Sequence, residues 1–254
     1  MKSALLHVLV PFCVCIVLAN TGLFNSVLVD MSYDHYAEKT VDYLPCYLAM
    51  PFNSLVNLGY IFMGIYWLLQ RMDGNRDTRA DYVKDMFALM AIAYAPVQWV
   101  RLATLLRAPA VLDQWFTLPI FAWVLVWCDF IEHGWRTRYA LTVELCSILS
   151  YGLSLVHDQG FEVALGCHVA FAVIKGVGVN RNHGDCHSRR YLGLAVLSCS
   201  GFVLLKLLDH TLARYWPFQH LTGHFWSKVC DVLQFHYSFC FLTHLTSIAP
   251  KRTE

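Results

Sequence analysis

Eight stretches of this chain are apolar for long enough to cross a bilayer, and that repetition restricts the fold more than any single motif. A helix needs about 20 mainly apolar residues to cross roughly 30 Å of hydrocarbon. The windows run over residues 4–29, 45–69, 82–106, 113–131, 139–156, 161–179, 191–208 and 221–248. Because hydrocarbon offers backbone N–H and C=O groups no partner, such windows are read as helices that satisfy themselves. The expected fold is therefore all-α, a polytopic membrane bundle of eight transmembrane helices. Residues 1–254 form one multi-pass domain, with an N-terminal helix (4–29) and a seven-helix core (45–248). Composition agrees: 57% of residues are hydrophobic and 15% charged, against about a quarter charged in soluble domains. No internal repeat is evident.

The loop cations test this count, since Lys and Arg gather on the cytoplasmic side. With eight crossings one side holds twelve: Lys2, Arg71, Arg76, Arg79, Lys84, Arg136, Arg138, Arg181, Arg189, Arg190, Lys251 and Arg252. The other holds Lys39, Arg107 and Arg214. Both termini are thus expected to be cytoplasmic. Lys2, the apolar run and the small residues near Ala19 also suit a signal peptide. An apolar length of about 25 residues exceeds a signal core, which favours retention. A formal charge of +1 and the lack of any basic, aromatic-interleaved run argue against nucleic acid as a partner. Of the ten cysteines, Cys128, Cys146, Cys199, Cys230 and Cys240 read as small buried hydrophobes. Cys13 and Cys15 are too close to act as a pair, and His183, Cys186 and His187 make a weak cluster, so no metal or cofactor is expected.

Three cations, Arg101, Lys206 and Lys228, lie inside otherwise apolar helices, with Asp113, Asp209 and Asp231 in or beside them. A charge within a span costs roughly 2.5 to 3.5 kcal/mol on insertion scales and is tolerated when it meets a partner or a wet cavity. The topology brings these groups to one depth on the lumenal side. The second helix enters there with Asn53, Ser54 and Asn57; the third leaves with Gln98 and Arg101; Asp113 opens the fourth. Lys206 and Asp209 close the seventh, and His224, Lys228 and Asp231 share one face of the eighth at i, i+4, i+7. A lumen-facing polar cavity that orients a lipid head group is one reading. A network that only holds the helices in register is another, as are an interfacial Lys206 and a helix-capping Asp113. His210, His220, His236 and His244 carry less information. His224 and His236 lie about 18 Å apart along one helix and cannot share a metal.

HYAE at His35, LAMPFNSLVN from Leu48, PVQW from Pro96, AVLDQW from Ala110, TLPIFAW from Thr117, QGFEVALG from Gln159 and TGHFWSKVCDVLQFH from Thr222 resemble the transmembrane protein 187 family over nearly the whole chain. That resemblance implies a vertebrate multi-pass protein of the Golgi or another endomembrane, without established chemistry. PFNSLVNL, VLDQWFTLP and Leu208-Asp209 also resemble the alkaline ceramidase and progestin-receptor-like superfamily, whose seven-helix core holds zinc. The ligand positions which that resemblance implies fall on Arg101, His224 and Lys228. Arginine is no zinc ligand, lysine must first lose its proton, and zinc hydrolysis needs about three protein ligands.

The sequence therefore leans away from an enzyme. It points to a non-catalytic bundle that binds a lipid or a protein partner, with Arg101 and Lys228 standing where the metal's positive charge would be. A metal-dependent lipid hydrolase built on His224 and Asp113 is the alternative. Intramembrane charge also suits a transporter, but corresponding broken helices in two halves are missing.

Overall fold

The computed structural model describes residues 1–71 and 78–249; Arg76, Lys251 and Arg252 lie outside the described residues. The chain is helical, with no strand among the described residues: α1 (Lys2–Ala19), α2 (Pro51–Leu55), α3 (Leu58–Leu69), α4 (Thr78–Thr104), α5 (Arg107–His133), α6 (Thr137–Ser150), α7 (Gly160–His183), α8 (Cys186–Leu207), α9 (Asp209–Leu212) and α10 (Gly223–Ile248).

Among the described residues, six helical spans are long and apolar enough to cross a membrane: α1, α2 with α3, α4, α5, α7 and α8. The expected α6 and α10 do not meet both length and apolarity, and each has a physical reason. Helix α6 stops after 14 residues and continues as a 3-10 turn, Tyr151–Leu155. Helix α10 is 26 residues long, but Lys228, Asp231, Gln234, His236 and His244 lower its hydropathy. Those residues fit its position, because α10 lies along α8 and also touches α2, α3, α4, α5 and α7. A helix surrounded by protein can carry polar groups that a lipid-facing helix cannot.

Several boundaries differ from the hydropathy windows, and three of them shape the site. The first helix ends at Ala19, where the Asn20 backbone closes the last turn, so residues 20–29 leave the helix. Residues 45–57 form a 3-10 turn (Cys46–Leu48), the short α2 and a second tight turn at Val56 and Asn57, where Asn57 Nδ2 donates to the Asn53 carbonyl (3.0 Å). The fourth window starts earlier, at Arg107, so Asp113 sits two turns inside α5 and does not cap it.

The core is aromatic. Trp67 stacks on Phe239 with ring centres 4.8 Å apart, and Phe87 meets Phe239 and Phe235 at 4.7 and 5.2 Å. The indole N–H of Trp123 donates to the Val83 carbonyl (2.8 Å) and that of Trp127 to Thr246 Oγ1 (3.0 Å). Such bonds satisfy the polar edge of a large buried ring. Large apolar side chains such as Leu6, Val10, Leu145, Leu149, Phe171, Ile174 and Leu197 point outward along the helices. An exposed apolar surface of that extent requires lipid around it.

Candidate functional site

Helices α4 and α5 are joined by only Leu105 and Leu106, so the end of one lies against the start of the other. Leu105 makes the reversal in the left-handed region (φ 51°), a conformation costly for a branched side chain. The hairpin brings Arg101 onto Asp113, and its Nη1 donates to Asp113 Oδ2. Both side chains are about nine-tenths buried, at 11% and 10% exposure. On the antiparallel pair α8 and α10, Lys206 and Lys228 come to the same end. Lys228 donates to Gln98 Oε1 and lies 5.8 Å from the Tyr94 ring centre. Lys206 forms no hydrogen bond or ion pair among the described residues.

These four charges share a cavity of about 880 Å³. Its deep wall holds Tyr94, Arg101, Asp113, Gln114 and Lys228. Its sides are the first half of α7, including Phe161, Leu165 and Val169, and the last part of α8, including Cys199, Phe202 and Leu207. Helices α7 and α8 are joined by a tight turn at Gly184 and Asp185, and this cavity lies between them at the far end. Leu207 and Leu28 on its rim are 75% and 63% exposed. A narrow pocket shares Arg101, Asp113, Lys206 and Lys228 with the cavity and adds Tyr36, Asn53, Gln98, Leu102 and His224. Here Asn53 Nδ2 and Oδ1 are buried without a hydrogen-bond partner, and Gln98 Nε2 and Asp113 Oδ1 are buried with no well-formed bond, facing only the Tyr60 and Tyr94 hydroxyls loosely. Buried polar atoms are nearly always paired, so a cluster of such orphans calls for a polar guest.

Other residues expected in the cluster have structural partners instead. Asp209, at the start of α9, accepts from the backbone N–H groups of His224 (2.7 Å) and Ala37 (2.9 Å), which fixes the first turn of α10. Asp231 accepts from the Tyr60 hydroxyl in the core, away from the cavity, although it follows Lys228 by one turn. Ser54 and Asn57 are buried beside the α2 and α3 junction and line neither space. Lys228 is hydrogen-bonded to Gln98 and to no aspartate among the described residues.

The loop between α1 and α2 supplies residues that the sequence reading missed. Glu38 accepts from the N–H groups of Phe52 (2.9 Å) and Asn53 (2.8 Å), capping α2 from a distance; burial outweighs these bonds and raises its pKa. His35 and Asp30 form a pair (3.2 Å) on the cavity wall. Burial, then the positive charges of Arg101 and Lys206, lower the His35 pKa. Tyr36 meets His224 edge-on at 4.6 Å. HYAE, the motif at His35, was the signal available for these residues.

The opposite end holds its own buried polar groups. Lys84, expected in a loop, is 2% exposed and donates to the Trp67 carbonyl (2.7 Å) and to Asp85 (3.1 Å). His7 joins Tyr82 to Glu144. A further intrahelical cation, Lys175 of α7, pairs with Glu132. Cys146, expected to be buried, is exposed. No group of three or more His, Cys, Asp or Glu among the described residues is arranged to hold a metal.

A family model described as the TMEM187 protein family matches residues 4–243. Transmembrane protein 187 of Homo sapiens is 55% identical over 245 residues, covering 96% of this chain and 93% of the human one. Transmembrane protein 187 of Bos taurus is 53% identical over 247 residues, 96% of each chain. No solved structure matches the chain. With apolar helices of membrane length and relatives that match almost end to end, this multi-pass membrane protein belongs to the transmembrane protein 187 family.

Proposed function

We propose that this protein binds a membrane amphiphile in the cavity between α7 and α8 and does not transform it. One observation carries the reading: a space of about 880 Å³ that runs from exposed apolar residues to a deep wall of cations, with a narrow pocket of under-bonded polar atoms beside that wall. Ligand sites have this composition and a volume on the order of 300 to 1,000 Å³. The three positions that the ceramidase resemblance aligns with zinc ligands, Arg101, His224 and Lys228, line the same narrow pocket. A fixed positive charge there has the sign of a metal but cannot activate water as zinc does.

The proposed topology has eight passes. Helix α10 is about 39 Å long at 1.5 Å per residue, and α6 with its 3-10 extension runs about 31 Å, so both reach across hydrocarbon. Both termini are cytoplasmic, the cavity faces the lumen, and the home membrane is the Golgi or another endomembrane.

The test is lipid analysis of the purified protein against Val203→Trp, whose larger ring would obstruct the space between α7 and α8. Near-stoichiometric enrichment of an amphiphile in the native protein and its loss from the variant are expected; equal lipid in both would refute the reading. A metal-dependent lipid hydrolase remains the second reading, because His224 and Asp113 share the narrow pocket. Stoichiometric zinc that disappears in His224→Ala would favour it.

A further inference from the structure

The cavity's charges are unequally matched, and the mismatch specifies its guest. Asp113 is engaged by Arg101. Asp30 accepts from the Ser32 backbone and hydroxyl (2.9 and 3.1 Å) and pairs with His35. Glu162, the remaining acid on the wall, lies exposed in the first turn of α7 and forms no ion pair among the described residues. At the deep end Lys206 makes no hydrogen bond or ion pair among the described residues, and Lys228 contacts only neutral groups, Gln98 and the Tyr94 ring; Asp113 and Asp231 attract both lysines only from beyond ion-pair distance. Two ammonium groups on neighbouring helices thus face one space with no carboxylate paired to either. Removing such charges from water is costly unless a counter-charge meets them.

We infer that Lys206 and Lys228 together hold the anionic oxygens, phosphate or carboxylate, of a lipid head group whose chain lies between α7 and α8. This rests on the amphiphile-binding reading above and adds the sign and chemistry of the head. The apolar side walls reach rim residues that are exposed where lipid surrounds the bundle, so the guest enters from the bilayer. Lysine suits this task as a compact ammonium with three donors that needs no planar partner.

The test uses two probes with one chain: 1-oleoyl-glycerol-3-phosphate and 1-oleoyl-glycerol, titrated onto the full chain in detergent, with inorganic phosphate as a third arm. The phosphorylated probe should bind at least about tenfold more tightly than the neutral one, the order expected for charge-assisted hydrogen bonds. Lys206→Met should erase that preference and leave the neutral probe unaffected, while Lys206→Arg should retain most of it. Because Lys206 makes no bond in the fold, Lys206→Met should melt close to the native protein; Lys228→Gln gives an independent check. Equal affinity for the two probes, or a preference indifferent to Lys206, would overturn the head-group assignment while leaving amphiphile binding intact. Inorganic phosphate binding as tightly as the phospholipid would overturn the amphiphile. Failure of both lipid probes would instead refute the reading beneath it.

Discussion

Arg101 and Asp113 form an ion pair with both side chains about nine-tenths buried, and Asp113 also faces Lys206 and Lys228 across the cavity. Removing one leaves the other buried and unpaired, which costs about 3 to 5 kcal/mol. Asp113→Asn and Arg101→Met are therefore expected to lower the melting temperature sharply, and Arg101→Met with Asp113→Leu should cost less than either alone. A double variant as damaging as the sum of the singles would show that the pair is not coupled. At this scale the sequence was informative for the charges clustered near one end of the apolar windows, whereas Lys175 and Glu144, also within windows, were passed over. Arg101, Asp113, Lys206 and Lys228 stand out against apolar neighbours because charge in hydrocarbon requires a reason. Lys84 did not, because it lies next to a polar loop and its burial depends on the Trp67 carbonyl of another helix. Asp231 and Asp209 were legible as charges but not by partner, since a tyrosine hydroxyl and two backbone N–H groups leave no charge signature.

Element boundaries were read less well than element existence. Hydropathy windows run through Asn20, Thr21 and Gly22 because the apolar residues resume after them, although such turn residues end helices. The break between α6 and α7 was legible, and Gly160 shows why it lies there. A Cβ at Gly160 would come within 2.1 Å of the Leu153 carbonyl oxygen, which is backbone and cannot yield. Gly160→Ala is expected to cost at least about 1 to 3 kcal/mol and to lower the melting temperature; an unchanged melt would contradict this packing. At the other end of α7 and the start of α8, Asp185 accepts from the Ser188 N–H (2.8 Å) and contacts His244 (3.0 Å). The Ser188 backbone bond first, then His244, hold the Asp185 carboxyl below its ordinary pKa of about 3.9. The unfolded chain therefore takes up this proton at higher pH than the folded one. The stabilisation is present above the ordinary value and is lost as the pH falls through the lower folded one. Melts of native protein and Asp185→Asn should differ near neutrality and converge in acid; a gap that widens in acid would reverse the sign.

Across the whole molecule, the segregation of cations gave the sequence its strongest global signal, because membrane insertion acts on loop charge directly. The three-dimensional meeting of residues from α4, α5, α8, α10 and the loop before α2 had no such signal, since depth along the membrane does not specify which helices are neighbours. Exposed Cys46 and Cys186 lie at opposite ends of the bundle, so they report the proposed orientation. With a thiol reagent that cannot cross membranes, cells opened only at the plasma membrane should label Cys186, and Cys46 should react only after the inner membranes are opened. The reverse order would invert the topology.

The claim that the cavity holds an amphiphile is tested most directly by photo-crosslinking the purified full chain with an oleoyl phospholipid carrying a diazirine in its chain, followed by mapping of the labelled peptides. Adducts are predicted to concentrate in residues 161–170 of α7 and 199–207 of α8, and to disappear when unlabelled phospholipid is added. Labelling spread over the outward faces, at residues such as Leu145, Leu149 and Ile174, and indifferent to competitor, would contradict the account.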